Sequence, residues 1–391
     1  MRVALLSWDF PPAPTGLGRA AAEIAAGLGE QGADVTVFAA DRTGSEETGF
    51  GRVIGCAPPT GSPGAWLRRR AAIGHLVGPR AFLRAVRRAH AARPFDVVEA
   101  TNWYAPAALL TRGPAPLVVR NSTPAIEGFP PLAGPRDRLD QRFAHRLEAR
   151  TARRAAVLIS NTAHHRERID ALYGIPPERP HHVIGLALAS ELIAEGAAAP
   201  PPDPAGPVVF IGRAERRKGF DEAVQGVVLA NERRGRSGAA PIALSLVGLE
   251  PEDWRHAAAR LDLGPDAHAA IRCHGRADDR EVRALLASAS AVLAPSRYES
   301  YGIVYREAAA FGRPLVACAE DPSAREFLGA VPCGALAERC AAAPIADAIE
   351  RALDQARLPG FAAAGRAHAA SLTRARLGEA TLRAYGDAAG T

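Results

Sequence analysis

Gly196-Ala197-Ala198-Ala199-Pro200-Pro201-Pro202-Asp203-Pro204-Ala205-Gly206-Pro207, followed by Val208-Val209-Phe210-Ile211-Gly212, divides the chain into two halves. Prolines and glycines crowd residues 196–207, which suits neither a helix interior nor a central strand and reads as an interdomain linker. The apolar run that follows restarts a strand. Working outward, short apolar runs alternate with Ala/Leu/Arg-rich helical stretches on both sides, the pattern of parallel α/β sheets. Upstream, strands are expected at 3–7, 34–39, 95–99, 117–120 and 156–160, with a helix at 19–31. Downstream they are expected at 207–212, 242–248, 269–274, 291–295 and 314–318, and the chain ends in helix from about 344 to 385. The expected domains are 1–195 and 208–370 around the 196–207 linker, with residues 371–391 as a terminal helix.

The chain has 391 residues and 48 Lys plus Arg, of which one, Lys218, is lysine and the other 47 are arginine. A G+C-rich genome accounts for the arginines but not for the exception. A phosphate loop of the Gly-Lys-Ser/Thr type is excluded, because Gly219 follows the lone Lys. A kinase lysine belongs on a Val-Ala-x-Lys strand, and Lys218 lies in an Arg-rich loop. Hydrophobic content of 48%, charge of 23% and a net charge of +6 describe a globular protein suited to an anionic ligand. Basic and acidic residues interleave, so no nucleic-acid partner is expected. Cys56, Cys273, Cys318, Cys333 and Cys340 lack Cys-x-x-Cys spacing and read as scattered thiols of a reducing cytoplasm. The first residues read as neither signal peptide nor membrane span, so a cytoplasmic location is expected.

Ligands of such sheets bind beyond the carboxyl ends of strands, and three loops there carry chemistry. Asp9 to Arg19 contains Gly16-x-Gly18 just before a helix, where backbone N–H groups can approach a phosphate. With Asp41 it imitates a dinucleotide fingerprint, although a Pro-rich insertion precedes the glycines, and an NAD- or FAD-binding oxidoreductase is the rival reading. Phe210 to Phe220 places Arg213 and Lys218 where a planar fork and a compact ammonium can converge on one diphosphate. Pro295 to Ala308 holds Glu299 and Glu307 with seven residues between them, around Gly302. A helix starting near Gly302 would aim its dipole where Glu299 faces, and both carboxylates could accept hydrogen bonds from diols. No Asp-x-Asp pair, HExxH or Cys/His cluster occurs, so neither a metal nor another cofactor is expected. No Gly-x-Ser-x-Gly elbow is present to anchor a hydrolase triad.

In this order, the three motifs resemble the retaining glycosyltransferases of family 4, whose GT-B fold sets two Rossmann-like domains facing across a cleft. The resemblance covers essentially the whole chain and is most specific from Ser296 to Gly312. It implies that residues 1–195 bind the acceptor, that 208–370 bind the nucleotide-sugar donor, and that the terminal helix packs back on the first domain. Arg213 and Lys218 match the pair holding the donor diphosphate, and Glu299 the catalytic-site Glu beside the transferred sugar. Ser300, Tyr301, Gly302, Ile303 and Val304 match the segment contacting sugar and phosphate. Glu307 matches the Glu on the nucleotide ribose, and Gly16 and Gly18 match the loop that closes over the donor. A His common in the family near Ser122 is missing, which leaves Asn121, Ser122 or Asn102 on the acceptor side. The family's interdomain Pro-Asn-Gly is replaced by Ile184-Gly185-Leu186-Ala187, and Tyr301 stands where Phe is common.

The resemblance implies transfer with retention, the acceptor hydroxyl attacking on the face the diphosphate leaves. The co-substrate is expected to be a nucleoside-diphosphate sugar, UDP rather than GDP. The acceptor is expected to be a small natural-product molecule or a cell-envelope glycan or glycolipid precursor, the soluble molecule being preferred. A basic stretch over 66–88, with Arg68, Arg69, Arg70, Arg80, Arg84, Arg87 and Arg88, offers peripheral contact with anionic lipid. A non-catalytic nucleotide-sugar-binding module is the remaining alternative.

Overall fold

The computed structural model describes every residue except Pro14, Pro59, Thr60, Arg68, Arg69, residues 129–133 and residues 390–391. The chain divides into two compact units, residues 1–187 with 372–391, and residues 188–371. The first contains β1 (Arg2–Ser7), α1 (Gly16–Glu30), β2 (Asp34–Ala39), β3 (Ser45–Thr48), β4 (Gly51–Gly55), α2 (Pro63–Leu67) and α3 (Val77–Ala92). It continues with β5 (Val97–Thr101), β6 (Leu117–Arg120), α4 (Ala125–Gly128), α5 (Pro135–Arg154), β7 (Val157–Ser160), α6 (Ala163–Tyr173) and β8 (His181–Val183). Among the described residues its sheet runs β3-β4-β2-β1-β5-β6-β7-β8, parallel except for β3 against β4. The runs at β1, β5, β6 and β7 are apolar on both faces because helices cover both, as a parallel sheet requires.

The second unit opens with α7 (Ser190–Ala198), β9 (Val208–Ile211), α8 (Phe220–Ser237), β10 (Leu244–Val247), α9 (Pro251–Arg260), α10 (Pro265–Ala269) and β11 (Ile271–Cys273). It closes with α11 (Asp279–Ser288), β12 (Ala291–Ala294), α12 (Ile303–Ala310), β13 (Leu315–Cys318), α13 (Pro322–Ala330), β14 (Gly334–Ala337), α14 (Ala342–Ala356) and α15 (Phe361–Ala370). Its parallel sheet runs β11-β10-β9-β12-β13-β14. The chain thus starts mid-sheet, winds outward to β11, and returns beside β9 as β12. That reversal opens a crevice beyond the carboxyl ends of β9 and β12, where doubly wound sheets take their ligands.

The boundary lies at Ala187/Leu188 and not within 196–207. Residues 196–198 finish α7, and the Pro-rich stretch is fastened to the second unit. The buried Arg313 donates to the Pro200 carbonyl at 2.6 Å, and Arg366 to the Ala199 carbonyl at 2.6 Å. A Cβ at Gly196 would lie 2.5 Å from the Ala310 carbonyl oxygen, so only glycine lets α7 approach α12 this closely. The composition registers the prolines but not the arginines that hold them.

The helical stretch expected over 344–385 breaks at Gly360 and again at Ser371, and its last part, α16 (Arg374–Ala389), belongs to the first unit. There α16 crosses α1 so tightly that a Cβ on Gly378 would sit 2.0 Å from the Gly27 carbonyl oxygen. A buried ion pair secures it from below. Arg120 donates to Glu99 at 2.8 Å and to Thr381 Oγ1 at 2.9 Å, and the Tyr385 hydroxyl donates to Glu99 at 2.6 Å. Glu99→Ala would strand the Arg120 charge and is expected to cost the first unit about 3–5 kcal/mol in urea unfolding. Replacing both partners with Met should recover most of that loss; a single substitution without measurable cost would contradict the role given to the pair.

Candidate functional site

Two loops meet beyond the carboxyl ends of β9 and β12. The first leaves β9 at Gly212, makes a 3₁₀ turn over Arg216–Lys218 and enters α8 through Gly219. Gly219 has φ of 65°, and a Cβ there would lie 2.4 Å from the Pro295 carbonyl oxygen and 2.5 Å from Cys340 Sγ. Only glycine satisfies both the left-handed backbone and the close approach. The second loop leaves β12 at Pro295 and reaches α12 through Gly302, at φ of 69°, where a Cβ would collide with the Tyr305 ring. Arg297 joins the two by donating its backbone N–H to the Arg217 carbonyl at 2.8 Å.

Lys218 and Glu299 meet where the loops touch. Lys218 Nζ donates to Glu299 Oε1 at 2.5 Å, and Ser296 Oγ to the same oxygen at 2.8 Å. Arg217 donates to Oε2 at 3.3 Å and to the Tyr298 carbonyl at 2.9 Å. Burial alone would raise the Glu299 carboxyl, whose side chain is 12% exposed. The Lys218 and Arg217 charges, with the hydrogen bonds from Lys218 and Ser296, outweigh it and hold the group below the usual carboxylate range. A recess of about 30 Å³ opens here, lined by Lys218, Ser296, Glu299, Gly302, Ile303 and Val304. The amino end of α12 forms one wall, and its first turn carries no acid to neutralise the positive end of the dipole.

A second layer fixes the Glu299 backbone. Asp321 Oδ1 accepts from the N–H groups of Glu299 at 3.0 Å and Ser323 at 3.1 Å, and Oδ2 accepts from the Tyr305 hydroxyl at 2.6 Å. Ser323 Oγ donates to the Glu299 carbonyl at 2.5 Å. The buried Arg306 donates to the Tyr301 and Gly302 carbonyls and lies 3.9 Å from the centre of the Tyr301 ring. Tyr301 is therefore a buried brace of the turn, with its ring spent on Arg306.

Lys218, Glu299, Gly302, Ile303 and Val304, chosen from sequence, come together at the recess. Arg213 does not join them; its side chain is 74% exposed and ion-paired to Glu215 at 2.8 Å. Ser300 is half-buried outside the lining, and Glu307 is half-buried four residues into α12. Arg217, Ser296, Asp321 and Tyr305 complete the site around Glu299 without a signal in the sequence. Arg217 is one of two consecutive arginines before the Lys, and nothing in the sequence says which of the neighbouring arginines turns inward.

In the first unit, Gly16 is the first residue of α1 and Gly18 lies within its first turn. Thr15 caps the helix, accepting from the Gly18 N–H at 3.0 Å and donating to Asp9 at 2.7 Å. Asp41 is committed to the Phe10 N–H at 3.1 Å and to Arg42 at 2.9 Å. This is not the tight turn and open carboxylate of a dinucleotide site, and the NAD/FAD reading loses its residues. Asn102, Asn121 and Ser122 cluster beyond β5 and β6. Both amides are buried: Asn102 bonds Ser122 and Tyr173 Oη, and Asn121 bonds the Ile159 carbonyl and Ser160. They hold loops in place, and of the three only Ser122 is part-exposed. Arg68 and Arg69 lie outside the described residues.

Comparison with known proteins agrees with this geometry. Residues 15–186 match the glycosyl transferase 4-like domain, and residues 206–355 match the glycosyl transferases group 1 family. The chain belongs to glycosyltransferase family 4. It is a retaining glycosyltransferase of GT-B fold that transfers a sugar from a nucleotide sugar. This glycosyltransferase is 30% identical over 338 residues to a glycogen synthase of Mycobacterium tuberculosis, covering 81% of this chain and 77% of that one. Its fold is similar to sucrose-phosphate synthase from Thermosynechococcus elongatus (TM-score 0.74, 19% identity, 99% and 98% of the two chains covered). It is also similar to Anabaena HepE in complex with UDP and glucose (TM-score 0.65, 18% identity, 98% of each chain covered). WaaG, a glycosyltransferase involved in lipopolysaccharide biosynthesis, matches with a TM-score of 0.65 at 18% identity, with 96% and 97% covered. No helix among the described residues is long and apolar enough to cross a membrane.

Burial pushes the Asp321 carboxyl up to about 6 from an ordinary 3.8, reinforced by the Glu299 charge and opposed by the Tyr305 hydroxyl and two backbone N–H groups. The native state then binds more protons than the unfolded chain between those values. Stability from this group falls as pH rises through the window, by about 3 kcal/mol. Asp321→Asn cannot titrate, so the stability margin of wild type over the variant should narrow by about that amount from pH 4 to 6.5 in urea unfolding. A constant margin would contradict this account of the carboxyl.

Proposed function

We propose that the donor is a UDP-sugar and that its diphosphate and sugar bind over the recess between Lys218, Glu299 and the amino end of α12. One observation carries the reading: the only lysine of a 47-arginine chain meets Glu299 at the strand-order reversal of the second sheet. On this reading Lys218 neutralises the diphosphate, Arg213 swings in from its exposed position beside Glu215, and Glu307 binds the ribose hydroxyls. Glu299 accepts hydrogen bonds from the sugar.

The acceptor hydroxyl attacks the anomeric carbon on the face that the diphosphate leaves. The bond from that carbon to the phosphate oxygen breaks as the new glycosidic bond forms, and the leaving oxygen takes the proton. Lys218, Arg213 and the α12 dipole stabilise the charge that collects on the diphosphate. Lys218→Ala and Glu299→Ala are each expected to lower transfer by roughly a hundred- to a thousandfold while the fold survives. Wild-type turnover in Lys218→Ala would sink the assignment. A melting panel of UDP, GDP, ADP and their sugars identifies the nucleotide; a site filled to a hundred times its Kd gains about 2.7 kcal/mol.

A lipid-linked acceptor draws support from the surface of the first unit. Residues 48–95 contain nine arginines and no acid. Arg80, Arg84, Arg87 and Arg88 form an exposed row on α3, and Arg138, Arg142, Arg146 and Arg150 another on α5. Both helices cover the same face of the sheet, so the rows point to one side. Nearby, Trp66, Ile73 and Leu139 are 58%, 60% and 55% exposed, and Arg70 stacks on Trp66. An aromatic and aliphatic tip ringed by arginines suits the headgroup region of an anionic bilayer. Co-sedimentation with phosphatidylglycerol-containing vesicles, lost in Arg84→Glu/Arg87→Glu and absent on neutral vesicles, is expected. Equal partition to neutral vesicles, or none to either, returns the acceptor to a soluble molecule.

A further inference from the structure

Glu299 is held by donors with unequal freedom. Lys218 ends a flexible four-carbon stem and donates to Glu299 Oε1. Arg217 is built in: its guanidinium bridges Glu299 Oε2 and the Tyr298 carbonyl, Glu215 lies 3.5 Å away, and its own carbonyl accepts from Arg297. On the donor reading, on which this inference rests, an arriving diphosphate carries at least two negative charges and draws Lys218 outward. Glu299 would then face the sugar with its strongest cation turned away. The cation that remains is Arg217 at Oε2, set against the Asp321 carboxyl behind the Glu299 N–H group, with the Tyr305 hydroxyl beyond that. Two carboxylates in a part-buried pocket without a cation take up a proton.

We propose that Arg217 is a positioning residue that keeps the Glu299 carboxylate ionised and aimed at the sugar while Lys218 serves the diphosphate. The two adjacent cations then have separate tasks, Lys218 binding the leaving group and Arg217 holding the group that reads the sugar. Burial opposes ionisation of Glu299 and the Arg217 charge favours it, which agrees with this division.

Calorimetric titration of UDP and of UDP-glucose at pH 6 and pH 8, on wild type, Arg217→Gln, Arg217→Met and Arg217→Lys, separates the tasks. Arg217→Gln and Arg217→Met should bind UDP within about threefold of wild type, because Lys218 is intact. They should bind UDP-glucose about tenfold or more weakly at pH 6 and regain part of that at pH 8, the loss expected for a hydrogen bond to a charged group. Wild type should show no such pH dependence, and Arg217→Lys should restore most of the sugar-dependent affinity. An equal loss for UDP and UDP-glucose in both neutral variants, or no loss for either, overturns the inference. Wild type failing to bind UDP, or Lys218→Ala binding it as tightly as wild type, overturns the donor-site reading itself. The two failures are thereby distinguished.

Discussion

The contact between Lys218 and Glu299 is the interaction on which the site depends. It spans the reversal of strand order in the second sheet, joining the loop after β9 to the loop after β12. A lysine–carboxylate pair on an open surface contributes little, because water screens it and side-chain entropy opposes it. Here the carboxylate is largely enclosed, Ser296 and Arg217 share its remaining lone pairs, and the amino end of α12 adds positive potential. The pair therefore organises charge. It concentrates cations around one anion beside the recess.

The backbone makes that concentration possible. Gly219 lets the basic turn approach the Pro295 carbonyl, and Gly302 lets α12 begin directly after Glu299. Asp321 then holds the Glu299 N–H and the Tyr305 hydroxyl at once, and Arg306 ties down the carbonyls on the far side of the turn. The carboxylate loop is thus held by contacts that do not involve Lys218. A flexible cation beside a fixed carboxylate is the arrangement expected where the diphosphate departs and the sugar stays.

Much of this was legible in the sequence, for particular reasons. Runs such as Val208–Ile211 and Ala291–Ala294 are apolar on both faces because helices cover both, and that signal survives without an alignment. β14, with the sequence Gly-Ala-Leu-Ala, carries no β-branched residue and escaped notice. The Ala-rich end of α7 was hidden by the prolines after it, and the arginines that pin those prolines lie over a hundred residues away. The lone lysine and Glu299, marked by composition and spacing, meet at the recess, while Glu307 lies half-buried on α12 outside its lining. Arg213 stands exposed beside Glu215, while Arg217, in the 3₁₀ turn over Arg216–Lys218, faces Glu299, and no periodicity records that direction. Asn102 and Asn121, polar residues at strand ends, were candidates for ligand contact, yet the Asn102 amide bonds Ser122 and Tyr173, and the Asn121 NH₂ group bonds the Ile159 carbonyl and Ser160 of β7.

The single lysine also supplies the most direct test. Labelling lysine with ¹³C and ¹⁵N gives one side-chain signal, that of Lys218, in a protein of 391 residues. Titration with UDP should shift that signal saturably, with a midpoint matching the affinity read from melting curves, and the shift should persist with a UDP-sugar. A Lys218 signal that stays fixed while UDP demonstrably saturates the protein would contradict the account.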